Sequence, residues 1–127
     1  MNPLEIGSMV KARYKTGAYI GRIKEERGKF YLVEVLAVLK HPQQGDLHNP
    51  KETEGVFFHE RRALAHHEKA NIPKSAVSAF TDDIPDYPAS LRTALQQLRE
   101  DLNGQPASAY RDLALSNMDS LEKDYFG

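Results

Sequence analysis

The sequence predicts a mainly β chain with helices appended, a small and strongly bent β-barrel followed by a helical hairpin. Three observations predict it. Near the N-terminus charged and apolar residues alternate at the period of a strand. Glycines at 7, 17, 21 and 28 fall where short strands must turn or bend. After residue 90 leucines recur at helical spacing.

Within Met9–Lys15 the cations Lys11, Arg13 and Lys15 occupy every second position. They share one face of a strand and leave Val10, Ala12 and Tyr14 on the other. Thr16-Gly17 marks a turn, and Tyr19–Glu25 reads as a second strand with Gly21 at a bend or bulge. Arg27-Gly28-Lys29 is a hairpin signal. Phe30–Leu39, rich in Val, Tyr and Phe, is the strongest strand, and its apolar run without clean alternation implies burial on both faces for part of its length. Short strands with glycine at the corners suit closure into an SH3-like barrel over residues 1–72, with an open sheet as the alternative.

His41–Gly55 carries two prolines, two glycines and no periodicity. Loops of this length in compact domains are often functional. Gly55–Phe58 is expected as a short strand and Arg61–Lys69 as the last barrel strand. Pro73–Val77 reads as a helical turn, and Asp82–Pro88, with its prolines and aspartates, as a surface linker. Leu91, Leu95, Leu98 and Leu102 form one stripe of an amphipathic helix that Asn103-Gly104 ends. Pro106 opens a second helix, with Tyr110, Ala114, Asn117, Leu121 and Tyr125 on one face and Leu113 and Met118 flanking. The helical segment, 73–127, is expected to pack on or beside the barrel as a hairpin, its leucine stripe a packing surface.

With 40% hydrophobic and 28% charged residues in 127, the chain has an ordinary globular composition and is long enough to fold without staples. Cysteine is absent, which removes disulfides, thiolate metal sites, thiol nucleophiles and thioether lipid anchors together. The first residues lack the basic and apolar regions of a signal peptide, and no apolar run approaches a membrane span. A soluble, cytoplasmic protein is expected. Residues 1–69 carry a net charge of +3 and residues 70–127 of −4, read as two independent solvated surfaces.

Catalytic and metal constellations fail one at a time. All five histidines lie between 41 and 67. His59-Glu60 begins like the metalloprotease helix motif, but the position four after His59 is Ala63. The seven-residue spacings His41–His48 and His59–His66 match no zinc pattern, so no metal and no cofactor are assigned. There is no nucleophile elbow and no glycine-rich phosphate loop followed by a helix. Glu25-Glu26 and Asp82-Asp83 are neighbours in sequence, and neighbours on a strand point to opposite faces. The chain is therefore read as a binding protein, not an enzyme. The rival reading is an RNA-binding barrel whose basic face, Lys11, Arg13, Lys15, Arg22, Lys24, Arg27 and Lys29, tracks a single strand beside Tyr14, Tyr19 or Tyr31. Glu25, Glu26 and Glu34 interrupt that field and the pI is near 6.5, so no nucleic acid is expected.

The stretch from Val35 to Lys51, with Leu36-Ala-Val-Leu-Lys-His-Pro-Gln-Gln-Gly-Asp-Leu-His-Asn-Pro at its heart, is followed by Val56-Phe-Phe-His-Glu-Arg-Arg-Ala-Leu-Ala65. Together with Ile6-Gly7, the run Tyr14–Gly21 and Ile84-Pro-Asp-Tyr87, it resembles the kinase-associated protein B family of spore-forming bacilli. The resemblance covers nearly the whole chain and is most specific in the long loop. It implies an SH3-like barrel followed by helices, and a role in sporulation, supporting a membrane-bound sensor histidine kinase of two-component phosphorelay signalling. Some members are described as lipoproteins, from which a chain without cysteine departs. Attachment to the inner face of the membrane would then run indirectly through the kinase.

The resemblance transfers no catalytic residue. The partner-binding surface is assigned to His41, Gln44, Asp46, His48, Asn49, Phe57, Phe58 and His59, because a long loop on a rigid scaffold presents side chains at little ordering cost. The plainer alternative has Asp46 and Asn49 capping turns, His41 and His48 anchoring the loop internally, and Phe57 and Phe58 divided between core and surface.

Overall fold

The computed structural model describes residues 4–45, 53 and 58–127. Three long strands come first, β1 (Met9–Tyr14), β2 (Gly17–Arg27) and β3 (Phe30–Lys40). Two short ones, β4 (Lys69–Pro73) and β5 (Val77–Ala79), flank a 3-10 turn at Lys74–Ala76, and the helices α1 (Tyr87–Asn103) and α2 (Ala109–Phe126) complete the chain. The expected order, strands first and helices last, is therefore met.

All ladders are antiparallel, in the order β4-β3-β2-β1-β5. The sheet is not closed into a barrel, which corrects the expectation of closure. The reason lies in strand direction. β4 opposes β3 and β5 opposes β1, so the two edge strands run the same way, and the turn between them cannot fold them into a hairpin. The same turn still bends the sheet. Pro73 to Val77 spans about 8 Å at 3-10 rise, whereas the edges of a flat five-stranded sheet lie about 19 Å apart.

The bend is written into β2 and β3, whose register shifts at Ala18/Tyr19, Ile20/Gly21 and Ile23/Glu25. Gly21 stands at one of these shifts, as expected. A Cβ there would lie 2.5 Å from the Glu34 carbonyl oxygen, so only glycine admits the close approach of β3. The β1–β2 turn consists of Lys15 and Thr16, both left-handed at φ 46° and 68°, with Tyr14 paired to Gly17. A two-residue turn of this hand matches strand twist, but it normally recruits Asn or Gly.

Val10, Ala12, Ile23, Tyr31, Val33 and Ile72 fill the concave side of the sheet. Tyr19, Val35 and Val38 continue it toward Leu91 and Ala94 of α1, with Ala63 between. Leu95, Leu98 and Leu102 pack against Tyr110, Ala114 and Met118 of α2. The leucine stripe is thus packing surface. The helices are antiparallel, since Arg92 stacks on Phe126 at 3.9 Å while Arg99, further along α1, binds Asp119 and Glu122 at 2.6 and 2.7 Å.

Several boundaries move. α1 begins inside the expected linker: the Asp86 carboxylate accepts from the Ala89 N–H, and Pro88 sits in the first turn, where its missing N–H is not needed. α2 begins at Ala109, not near Pro106, because the Ser108 hydroxyl accepts from the Arg111 N–H and caps it. Leu113 is exposed. Residues 61–68 form no strand; β4 follows them, and β5 has no counterpart among the expected elements. The expected strand at 55–58 falls, apart from Phe58, outside the described residues.

Candidate functional site

The chain leaves β3 at Lys40 and passes along segment 58–64 and the inner face of α2. His41 is fully buried. Its Nδ1 lies 2.9 Å from the Pro42 carbonyl, which only accepts, so Nδ1 carries the proton. Nε2 is then the acceptor for the Tyr125 hydroxyl at 3.0 Å. Burial holds the His41 pKa below its ordinary value, which keeps the ring in this neutral form.

Gln44, 5% exposed, uses its side-chain amide as a length of backbone. Nε2 donates to the carbonyls of Arg61 at 2.9 Å and Pro42 at 3.1 Å, and Oε1 accepts from the Arg61 N–H at 2.8 Å. Beside it the Gly45 N–H donates to the His59 carbonyl at 2.9 Å, and Arg61 Nε donates to the Gly45 carbonyl at 3.0 Å. From α2, Asn117 reaches the same His59 carbonyl at 3.4 Å. Gly45 adopts φ 101°, and a Cβ there would stand 2.8 Å from the half-buried ring of Phe58. That ring meets Tyr110 edge-on at 5.8 Å.

Segment 63–64 has no ladder, yet its backbone is satisfied by three tyrosines from three elements. Tyr125 of α2 accepts the Ala63 N–H at 2.9 Å and Tyr19 of β2 accepts the Leu64 N–H at 3.2 Å. Tyr87 of α1 donates to the Leu64 carbonyl at 2.5 Å. Burial pushes the Tyr19 and Tyr87 phenols up to about 12 and raises those of Tyr125 and Tyr110. These hydroxyls remain protonated at any physiological pH. Tyrosines on otherwise apolar faces signal this arrangement in the sequence, because a buried hydroxyl needs a partner; which backbone they would meet was not readable.

Of the assigned surface residues, the structure therefore brings His41, Gln44, Phe58 and His59 together. His41 and Gln44 are buried anchors that hold the loop rather than face solvent; the internal-anchor alternative named His41 and His48, of which only His41 is among the described residues. Phe58 and His59 are half-buried. Asp46, His48, Asn49 and Phe57 lie outside the described residues. Among the described residues no three of His, Asp and Glu converge, and both nitrogens of His41 are engaged. His66 stacks on Tyr87 at 5.1 Å, and His67 binds Glu34 at 3.0 Å, an interaction that lowers the Glu34 carboxyl.

The basic strand face divides in two. Lys24 and Arg27 pair with Glu34 and Glu25, and Lys74 pairs with Glu26. Lys11, Arg13, Lys15, Arg22, Lys29 and Lys40 have no carboxylate partner within ion-pair distance among the described residues. No helix among the described residues is long and apolar enough to cross a membrane.

A family model described as kinase associated protein B matches residues 14–126. A Bacillus subtilis (strain 168) protein named kinase-associated lipoprotein B is 51% identical over 126 residues, covering 99% of this chain and 98% of its own length. The crystal structure of kinase-associated protein B from Bacillus cereus superposes with a TM-score of 0.82 at 38% identity, over 97% of this chain and 98% of that one.

Proposed function

This chain belongs to the kinase-associated protein B family, and from that premise we propose that it is a non-catalytic accessory protein that binds a sensor histidine kinase and supports it in sporulation phosphorelay signalling. The observation that carries the reading is the near full-length identity of 51% to a relative named for its association with a kinase.

The geometry supports a binding role. In the site His41 and Tyr19 are buried, Tyr87 and Tyr125 half-buried, and all four are engaged in backbone hydrogen bonds. They fix one path for residues 41–45 and 58–64 across β3 and both helices. A segment fixed in this way loses little conformational freedom on binding. The contact is assigned to Asp46, His48, Asn49, Phe57, Phe58 and His59, with His41 and Gln44 as the loop's anchors. The protein acts in the cytoplasm, at most peripheral to the membrane. None of these 127 residues is a cysteine, so none carries a thioether-linked lipid, and membrane contact runs through the kinase.

The test is capture of the kinase's cytoplasmic part by the protein and by a variant with Asp46, His48 and His59 changed to Ala, which spares the buried anchors. A folded variant that captures at least about tenfold less kinase supports the assignment, that loss being typical of removing central contacts. Capture at the wild-type level places the surface elsewhere.

A further inference from the structure

We infer that the cations at the β1–β2 end of the sheet, which make no ion pair among the described residues, form a second docking groove for an acidic peptide segment carrying an apolar side chain. The pairing register builds its walls. Arg13 stands opposite Ala18, and Ala18 opposite Lys40, on three consecutive strands. Residues directly opposite share a face, so two cations about 10 Å apart flank a methyl group. Lys11 lies two residues from Arg13 on the same face, and Lys15 closes the end of the groove.

These side chains with Gly17, Leu39 and Ala76 line a groove of about 520 Å³ that has no carboxylate of the described residues in its wall. Lys24, Arg27 and Lys74, by contrast, are ion-paired with glutamates, while Arg22 and Lys29 stand outside the groove wall. Like charges gathered with no ion pair among them repel, which an incoming anion relieves.

Leu39 gives the groove its second character. It is 40% exposed, and it also lines an adjoining apolar hollow of about 250 Å³ with Pro85, Ala89, Thr93 and Ala94. A ligand complementary to both presents carboxylates to the cations and an aliphatic side chain beyond Leu39. A nucleic acid fits less well. The one aromatic in the wall, Tyr14, is half-buried against both sheet clusters and lies beneath Lys15 at 5.2 Å, leaving no free stacking platform. The acidic peptide is thus the occupant the charge and shape select.

The probe is a short labelled peptide of leucines set among glutamates, titrated by fluorescence anisotropy into the whole protein at low and physiological salt. Binding that weakens as salt rises is expected. The double variant Lys11→Glu/Lys40→Glu, both positions exposed, should weaken it by about tenfold or more. Leu39→Ser should weaken it several-fold while the salt dependence stays as in the wild type. Circular dichroism verifies that both variants fold. No binding at low salt, unchanged binding by the double variant, or tighter binding of a single-stranded RNA oligomer each overturns the proposal. The Asp46/His48/His59 variant should bind the peptide normally, so a failure here is separable from a failure of the loop assignment.

Discussion

The Tyr125 hydroxyl donates to Nε2 of His41 at 3.0 Å across 84 residues of chain, while accepting the Ala63 N–H at 2.9 Å. One oxygen near the C-terminal end of α2 thereby ties the loop leaving β3 to the unladdered segment beneath α1. Arg62 reinforces the junction, lying 5.0 Å over the Tyr125 ring and 3.1 Å from Asp124.

Tyr125→Phe should accordingly cost more than the loss of a surface hydroxyl. It leaves the Ala63 N–H and His41 Nε2 buried without partners, an expected loss of about 1–3 kcal/mol for each orphaned group that water cannot reach. Urea unfolding measures it. Tyr31→Phe is the control, its hydroxyl having no hydrogen bond among the described residues, and should stay within about 0.5 kcal/mol of wild type.

Acid should destabilise the same junction. His41 is neutral in the fold with its pKa held down by burial, so below about pH 6.5 the unfolded chain binds the proton first. Stability from this residue is complete above that pH and is lost as pH falls through the folded value. The Glu34 carboxyl, lowered chiefly by its bond from His67, acts further down, its contribution fading below the ordinary carboxylate range near 4.5. Imidazole resonances followed by NMR should show the His41 ring still neutral at pH values below about 6.5. A His41 ring titrating near 6.5 contradicts its burial.

Alkali should act through the tyrosines. With Tyr19 and Tyr87 held near 12 in the fold and ionising near 10 when unfolded, stability is lost as pH rises past 10. Ultraviolet titration of the phenolates should show a late fraction that appears together with loss of secondary structure. Smooth titration of all six tyrosines near 10 argues against the three-tyrosine clasp.

Much of this architecture was legible in the sequence. The alternation Lys11, Arg13, Lys15, the bend at Gly21 and the stripe Leu91–Leu102 are local periodic signals, and local signals survive folding when one face is buried. What escaped was non-local. β5 is three residues long and exists because β1 offers an edge. Residues 61–64 were expected as a strand, but their hydrogen bonds go to Gln44, Tyr19, Tyr87 and Tyr125, none of which lies near them in sequence. Gln44 in particular looks like any loop glutamine until its amide is seen pairing with Arg61.

Gly45→Ala probes the loop itself. The left-handed φ of 101° and the Phe58 ring 2.8 Å from the added methyl both oppose the substitution, with an expected cost of about 1–3 kcal/mol. Thermal unfolding should register it, and Phe58→Leu in the same chain should recover part of the loss by removing the ring.

Hydrogen exchange on the complex with the kinase's cytoplasmic part reports where the kinase sits on the protein. Slowed exchange in residues 41–61 on adding the kinase, with the rest of the sheet core unchanged, is the predicted result. An absence of any slowing, or slowing confined to the outer face of the helical hairpin, contradicts the account.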